Sequence, residues 1–171
     1  GGSIRLPATI CGVTGIKGTQ TRVSRAGVMP LSFSADNVGP LVQTARDAAR
    51  FMRIISGHDP RDATSAREAV PDYEAALTGD LRGISIAVPQ EYFFDGADEV
   101  VVKGFDAALE AMRDRGAKIT RLSCPSLRAI AAYTALVSRS EAAAIHAEWM
   151  RERADDYSIH LSSRLYGGYP V

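Results

Sequence analysis

The chain has 171 residues, of which 46% are hydrophobic and 23% are charged, a balance typical of one globular domain rather than of a disordered or fibrous segment. Twenty Lys and Arg residues balance twenty Asp and Glu residues, so the formal net charge of zero argues against nucleic acid or an anionic membrane as a partner. The two cysteines, Cys11 and Cys124, form no disulfide framework, and neither has the neighbouring Cys or His that a structural zinc site needs.

The first part of the chain changes character at Thr44. Residues 1–43 are rich in Gly, Ser, Thr and Pro, a composition that predicts loops and short strands. From Thr44 a capping-box pattern with Asp47 as its acid precedes apolar residues at helical spacing, which predicts a helix that ends at Gly57. A second short helix is predicted from Asp72 to Leu77.

The middle of the chain carries the pattern of a βαβ unit. The apolar run Ile84–Val88 predicts a short buried strand closed by Pro89. A helix from Asp98 to Arg115 follows, with Asp98 as its cap and Gly116 just after its end. The run Lys118–Leu122 predicts a second strand. Two parallel strands joined by a right-handed crossover helix are therefore expected, and the fold class is α/β.

The last part of the chain is predicted to be helical. An Ala-rich stretch from Ser126 to Tyr157 favours a long helix, which we expect to be broken near Ser138. Ser158 to Tyr166 predicts another short helix. No apolar run approaches the roughly 20 residues of a membrane span, and the opening residues do not form a signal peptide. A cytoplasmic protein with no membrane partner is expected.

The run Gly1-Gly-Ser-Ile-Arg5 is the first candidate for chemistry. A serine directly after two glycines can lie on a tight turn whose backbone N–H groups point beside the hydroxyl, where a tetrahedral oxyanion would form. The alternatives are a flexible linker and an ordinary turn, because Gly-Gly-Ser is common in loops. On its own the tripeptide does not decide between them.

The segments that follow give the tripeptide its meaning. Together they closely resemble the core block of the amidase signature family, and the resemblance extends more loosely through Ile84–Leu122 and the Ser140-Glu-Ala142 helix. The motifs that carry it stand in order in the first 62 residues: Gly1-Gly-Ser-Ile-Arg-Leu-Pro7, Cys11-Gly-Val-Thr-Gly-Ile-Lys17, Arg22-Val-Ser-Arg-Ala-Gly-Val28, Ser34-Ala-Asp36 with Val38-Gly-Pro40, and Thr44-Ala-Arg-Asp47 with Gly57-His-Asp-Pro-Arg-Asp62.

This resemblance implies a site, an activity and a fold. Family members use a Ser–cis-Ser–Lys triad, and the family's nucleophile corresponds to Ser3. The backbone N–H groups of Gly1, Gly2 and Ser3 correspond to the oxyanion hole. The implied reaction is hydrolysis of a carboxylic amide through a serine acyl-enzyme, with release of ammonia or an amine. The implied fold is a mixed β-sheet flanked by helices, and no cofactor or metal is expected.

The family's catalytic Lys and cis-Ser lie upstream of the nucleophile, and this chain begins two residues before Ser3. Residues 1–171 are therefore expected to be a single partial amidase domain that hydrolyses amides negligibly by itself. Lys17 corresponds to a different family lysine, so we expect a structural role for it. Asp36 is expected in a structural network, and Cys11 is expected to be a small packed hydrophobe.

Two histidine-containing clusters invite a metal hypothesis. His58 with Asp59 and Asp62, and His146 with Glu148, match no known ligand spacing, so a turn and an amphipathic helix are favoured. Trp149 is expected in the core or as a lid over the cleft. None of these residues is assigned to substrate.

Three functions remain open from the sequence. The leading hypothesis is an amidase acting on a small-molecule amide, with no direct nucleic-acid partner and a possible homodimer. The alternatives are the amidase subunit of a tRNA-dependent amidotransferase, which would need companion subunits, and a catalytically silent α/β interaction module.

Overall fold

The computed structural model describes residues 2–168 and divides the chain into two compact units. The first unit comprises residues 2–77 and 135–168, and the second comprises residues 78–134. Helices alternate with small sheets, so the predicted α/β class is confirmed. In chain order the helices and strands are: α1 (Gly2–Ile10), β1 (Thr14–Gly15), β2 (Leu41–Val42), α2 (Ala45–Ile55), β3 (Ser85–Pro89), α3 (Glu99–Asp114), β4 (Lys118–Leu122), α4 (Leu127–Glu152), a 3₁₀ turn (Ala154–Asp156) and α5 (Ile159–Tyr166).

Helix α1 corrects the expectation that residues 1–43 hold only loops and short strands. Ile4 and Ala8, four positions apart on one face, are both buried, which makes the segment an amphipathic helix. The helix ends in a Schellman motif, in which the N–H of Val13 donates to the carbonyl of Ala8 at 2.9 Å and that of Gly12 donates to Thr9 at 3.3 Å. Gly12 has a φ of 64°, which glycine adopts without the strain that a Cβ would cause.

Helix α2 begins as its sequence predicts. Thr44 Oγ1 accepts a hydrogen bond from the N–H of Asp47 at 3.1 Å, and it donates to the Asp47 carboxylate at 2.7 Å. The helix ends at Ile55, two residues before the expected end at Gly57, because Ser56 is extended and forms a β-bridge with Val23.

The helix expected from Asp72 to Leu77 is absent, and this segment forms consecutive turns instead. Asp72 Oδ1 accepts from the N–H groups of Glu74 and Ala75, both at 3.1 Å, so its side chain holds a turn. Glu74 is paired with Arg46 and Arg50 of α2. Six residues also form too short a helix to be stable without such support.

The second unit is the expected βαβ unit. Strands β3 and β4 are parallel, with Ser85 opposite Lys118 and Pro89 opposite Leu122. Helix α3 connects them and is followed by Gly116, whose φ is 98°. The strand β3 is less buried than predicted, since Val88 is its one fully buried residue.

The C-terminal helices differ from expectation in one respect. Helix α4 is continuous from Leu127 to Glu152, so the break predicted near Ser138 is absent. Its alanines have the highest helix propensity, which outweighs the weak preference of one serine for other conformations. Helix α5 has the predicted cap, since Ser158 Oγ accepts from the N–H of Leu161 at 3.3 Å. Within residues 2–168, no helix has the length and apolarity needed to cross a membrane.

Candidate active site

Ser3 lies in the first turn of α1, with Gly2 as the first residue of the helix. The tight turn expected from the glycines is therefore replaced by a helix N-terminus, and Gly1 lies outside the described residues. Gly2 and Ser3 are exposed. The N–H groups of a first helical turn have no carbonyl acceptor within the helix, and the helix dipole favours a negative charge beside them. This end of α1 therefore offers the donors that an oxyanion needs, next to the Ser3 hydroxyl.

Two glycines allow α1 to lie directly on the backbone beneath it. A Cβ on Gly15 of β1 would lie 2.6 Å from the Cβ of Ala8 and 3.1 Å from the carbonyl oxygen of Ile4. A Cβ on Gly39 would lie 2.1 Å from the carbonyl oxygen of Ile16 and 2.9 Å from Ile4 Cδ1. Real carbon atoms do not approach so closely, so only glycine fits at both positions. These two contacts fix the depth at which the helix carrying Ser3 lies.

Pro7 adds a local feature to the same helix. It lies inside α1 and has no N–H, so the carbonyl of Ser3 receives no hydrogen bond from the residue four positions later.

Lys17 does not act on Ser3 in this structure. Its ammonium donates to the carbonyl oxygen of Gly18 at 2.7 Å, which agrees with the structural role expected for it. None of the side-chain hydrogen bonds found among residues 2–168 involves the Ser3 hydroxyl. A general base for Ser3 is therefore not assigned from the described residues.

Two sequence motifs that lie 37 positions apart meet beside β1 and α2. The N–H of Arg25 donates to Asp62 Oδ2 at 2.8 Å, and Ser24 Oγ donates to Asp59 Oδ2 at 2.8 Å. The hydrogen bond from Thr64 and that from the Arg25 N–H hold the pKa of Asp62 below its usual range. The Arg61 guanidinium lowers the pKa of Asp59 in the same way. Both carboxylates therefore act as fixed acceptors that join the two loops.

Arg22 completes this junction. Its guanidinium donates to Tyr73 Oη and to the carbonyl oxygens of Glu68 and Ala69, all at 3.0 Å. The planar fork of arginine suits three fixed acceptors, and these bonds hold residues 68–73 against the motif that begins at Arg22.

The loop before Gly39 is held at both ends by carboxylates. Asp36 Oδ2 accepts from the N–H groups of Leu31 at 2.7 Å and Ser32 at 2.9 Å, which is a structural role of the expected kind. The second carboxylate belongs to Glu141 of α4, which accepts from the hydroxyls of Ser32 and Ser34 and from the Ser34 N–H at 3.0 Å. Hydrogen bonds from Ser32 and then Ser34 lower the pKa of Glu141.

Glu141 and Ser65 are residues whose roles sequence reasoning missed. Ser65 is 5% exposed, and its hydroxyl accepts from the Asp59 N–H at 2.9 Å. No local pattern marks either residue, because the partners of Glu141 lie 107 and 109 positions away in the chain.

The remaining candidates fall outside this arrangement. Cys11 is exposed at the end of α1, so the expectation that it is packed is wrong. Trp149 is 39% exposed rather than fully in the core. His58 Nδ1 contacts Ser65 Oγ at 3.0 Å, whereas His146 is buried. No group of three or more potential metal ligands is found among residues 2–168.

Comparison with known proteins places this geometry. The family model described as "Amidase" matches residues 1–165. The chain belongs to the amidase family. Its recognition as an amidase signature protein is thereby confirmed, and members of this family are enzymes that act on C–N bonds.

Among relatives of this family member, a glutamyl-tRNA(Gln) amidotransferase subunit from a Roseiflexus species is 50% identical over 125 residues. That match covers 73% of this chain and 26% of the relative. The chain thus corresponds to about a quarter of that relative's length.

Solved structures of the family have the same fold. The corresponding glutamyl-tRNA(Gln) amidotransferase subunit from Thermotoga maritima matches with a TM-score of 0.79 and 35% identity, covering 98% of this chain and 38% of that one. The peptide amidase from Stenotrophomonas maltophilia matches with a TM-score of 0.74 and 31% identity, covering 90% and 32%.

Proposed function

We propose that the complete protein is the amidase subunit of a tRNA-dependent amidotransferase, and that Ser3 is its nucleophile. The observation that carries this proposal is the 50% identity over 125 residues to a protein named as a glutamyl-tRNA(Gln) amidotransferase subunit. Residues 1–171 would then be one part of a longer amidase domain. Companion subunits would be its partners.

The proposed chemistry uses the N-terminus of α1. Ser3 Oγ attacks the carbonyl carbon of a carboxamide, such as that of glutamine, and the carbonyl oxygen becomes an oxyanion. The N–H groups of Gly2 and Ser3 donate to that oxygen where its charge develops, and Gly1 would contribute a further donor. The tetrahedral intermediate then collapses, the C–N bond breaks and protonated nitrogen leaves as ammonia. Water hydrolyses the acyl-serine, or the ammonia is passed to a second site.

The serine needs a base, because an unperturbed hydroxyl is a poor nucleophile. We assign that base, by family resemblance, to a lysine acting through a cis-serine, and both would lie outside these 171 residues. Lys17 is not chosen, because its ammonium is engaged by the Gly18 carbonyl.

A free amidase is the second candidate. It is favoured by the likeness to the peptide amidase, which extends over 90% of this chain at 31% identity. The two candidates share the serine chemistry and differ in substrate and partners. A free amidase would hydrolyse a small amide without companion subunits.

The test uses the complete protein, with Ser3→Ala compared with Ser163→Ala, a change of an exposed serine in α5. We expect Ser3→Ala to abolish labelling by a fluorophosphonate and to lower glutaminase activity by roughly 10³-fold or more, with Ser163→Ala unchanged. Labelling that persists in Ser3→Ala would refute the nucleophile. A folded wild-type protein that never reacts would instead support the silent interaction module.

Partner binding separates the two enzymes. Co-purification with companion subunits together with glutaminase activity supports the role in an amidotransferase. A protein that remains alone and hydrolyses peptide amides but not glutamine would refute that proposal and support the free amidase.

A further inference from the structure

A cavity of 490 Å³ lies within the first unit, between α4, the 3₁₀ turn and α5. Its size is within the roughly 300–1,000 Å³ range of small-molecule sites. Met29, Trp149 and Leu161 give it apolar walls, and His146 and Tyr157 contribute polar atoms. None of the residues that we assign to the nucleophile or the oxyanion hole lines this cavity.

His146 is the polar group that gives this cavity specificity. The residue is 5% exposed, although histidine carries two nitrogens that require hydrogen-bond partners. Its Nδ1 lies 2.9 Å from Tyr157 Oη, and among residues 2–168 this is the hydrogen bond that the Tyr157 hydroxyl makes. The hydroxyl proton therefore points to Nδ1, and the proton of the neutral ring is on Nε2. Within the described residues, no hydrogen bond engages Nε2.

The histidine ring is held rigidly in this position. It makes edge-to-face contacts with Trp149 and Tyr157, with ring centroids 5.6 Å and 5.7 Å apart. Tyr157 in turn packs against the buried cluster of Ala142, Met150 and Leu165. A donor held rigidly beside apolar walls loses little conformational freedom when a ligand binds, which favours affinity.

Charge at the cavity is balanced. Arg153 Nε donates to Asp156 Oδ2 at 2.6 Å, so the guanidinium and the carboxylate that line the cavity neutralise one another. An ionised ligand would lose its hydration without gaining an unpaired counter-charge. A neutral ligand is therefore preferred.

We propose that this cavity is a small-molecule site for a neutral aromatic or branched apolar compound that bears a carbonyl oxygen. The apolar body lies against Met29, Trp149 and Leu161, and the carbonyl oxygen accepts a hydrogen bond from His146 Nε2–H. The site is independent of the chemistry proposed for Ser3.

The test is a binding measurement with benzamide as the probe. Trp149 is the single tryptophan of the 171 residues, so its fluorescence reports on the cavity directly. The complete protein carries Ser3→Ala, which prevents turnover and makes the result independent of the proposed function. Subtracting the response of a Trp149→Phe version removes the signal of other tryptophans.

We expect a saturable change in Trp149 emission with benzamide and a weaker response to benzoate, which is charged. His146→Leu should weaken benzamide binding about 2- to 10-fold, the loss of one hydrogen bond. The matched control is His160→Leu, the same change at an exposed histidine of α5, and it should bind as the parent does. Circular dichroism checks that each variant is folded, and His146→Gln, which keeps a donor, should recover part of the affinity.

Three results would overturn the proposal. The first is no saturable response of Trp149 to benzamide. The second is equal affinity of the His146→Leu and His160→Leu variants. The third is tighter binding of benzoate than of benzamide, which would show that the cavity selects an anion.

Discussion

Replacing Gly15 by alanine should displace the helix that carries Ser3. The new Cβ would lie 2.6 Å from the Cβ of Ala8, whereas carbon atoms in contact are separated by roughly 3.5–4.0 Å. The two groups must therefore move apart by about 1 Å. The new Cβ would also lie 3.1 Å from the carbonyl oxygen of Ile4, so the movement cannot be taken up by a flexible side chain alone.

The expected cost follows from these distances. Overpacking of a close contact lowers the free energy of unfolding by about 1–3 kcal/mol. A shift of about 1 Å at a reacting group can lower the rate by about 100-fold, so labelling of Ser3 by a fluorophosphonate should slow to a similar extent. The measurements are denaturant unfolding and the labelling rate of the complete protein.

Gly104→Ala is the matched control for this change. Gly104 lies in α3, and a Cβ there has no atom within 4 Å. The same substitution should therefore raise the free energy of unfolding by roughly 0.5–1 kcal/mol, because alanine is a better helix former. If Gly15→Ala changed stability by less than about 0.5 kcal/mol and left the labelling rate unchanged, the packing argument would be wrong.

Three further predictions concern other parts of the first unit. Thr44→Ala removes the acceptor for the Asp47 N–H and should lower the free energy of unfolding by about 1 kcal/mol in denaturant titrations, and an unchanged midpoint would contradict the capping role. Leu165→Ala removes a side chain that is 1% exposed and should cost about 2–5 kcal/mol, measured in the same way, whereas a cost below about 1 kcal/mol would show that the cluster is loosely packed. Glu141→Gln should lower the melting temperature at neutral pH, and the difference from wild type should shrink as the pH falls below about 4.5, because a carboxylate with a lowered pKa stabilises the fold only while it is ionised. A difference that persists unchanged in acid would refute this role of the Glu141 charge.

Local patterns predicted the elements whose stabilising groups are close in the chain. The start of α2 follows from Thr44 and Asp47, three positions apart. The βαβ unit follows from two apolar runs and a helix that Gly116 ends, and its register runs without a break from Ser85 to Pro89. The turns at residues 72–77 were missed, because Arg46 and Arg50, which hold Glu74, lie 28 and 24 positions away.

The 171 residues by themselves determined the family, the α/β class and the serine proposed as nucleophile, because ordered motifs and local caps are written in neighbouring residues. Only the tertiary structure decided that Ser3 begins a helix. Ile4 and Ala8 form a buried face only when Gly15 and Gly39 admit the helix, and neither contact is visible in a run of five residues. The same holds for Glu141, whose carboxylate reaches Ser34 across 107 positions. Contacts of that range arise from the packing of whole elements, and so the sequence marked the nucleophile while the fold decided how it is held.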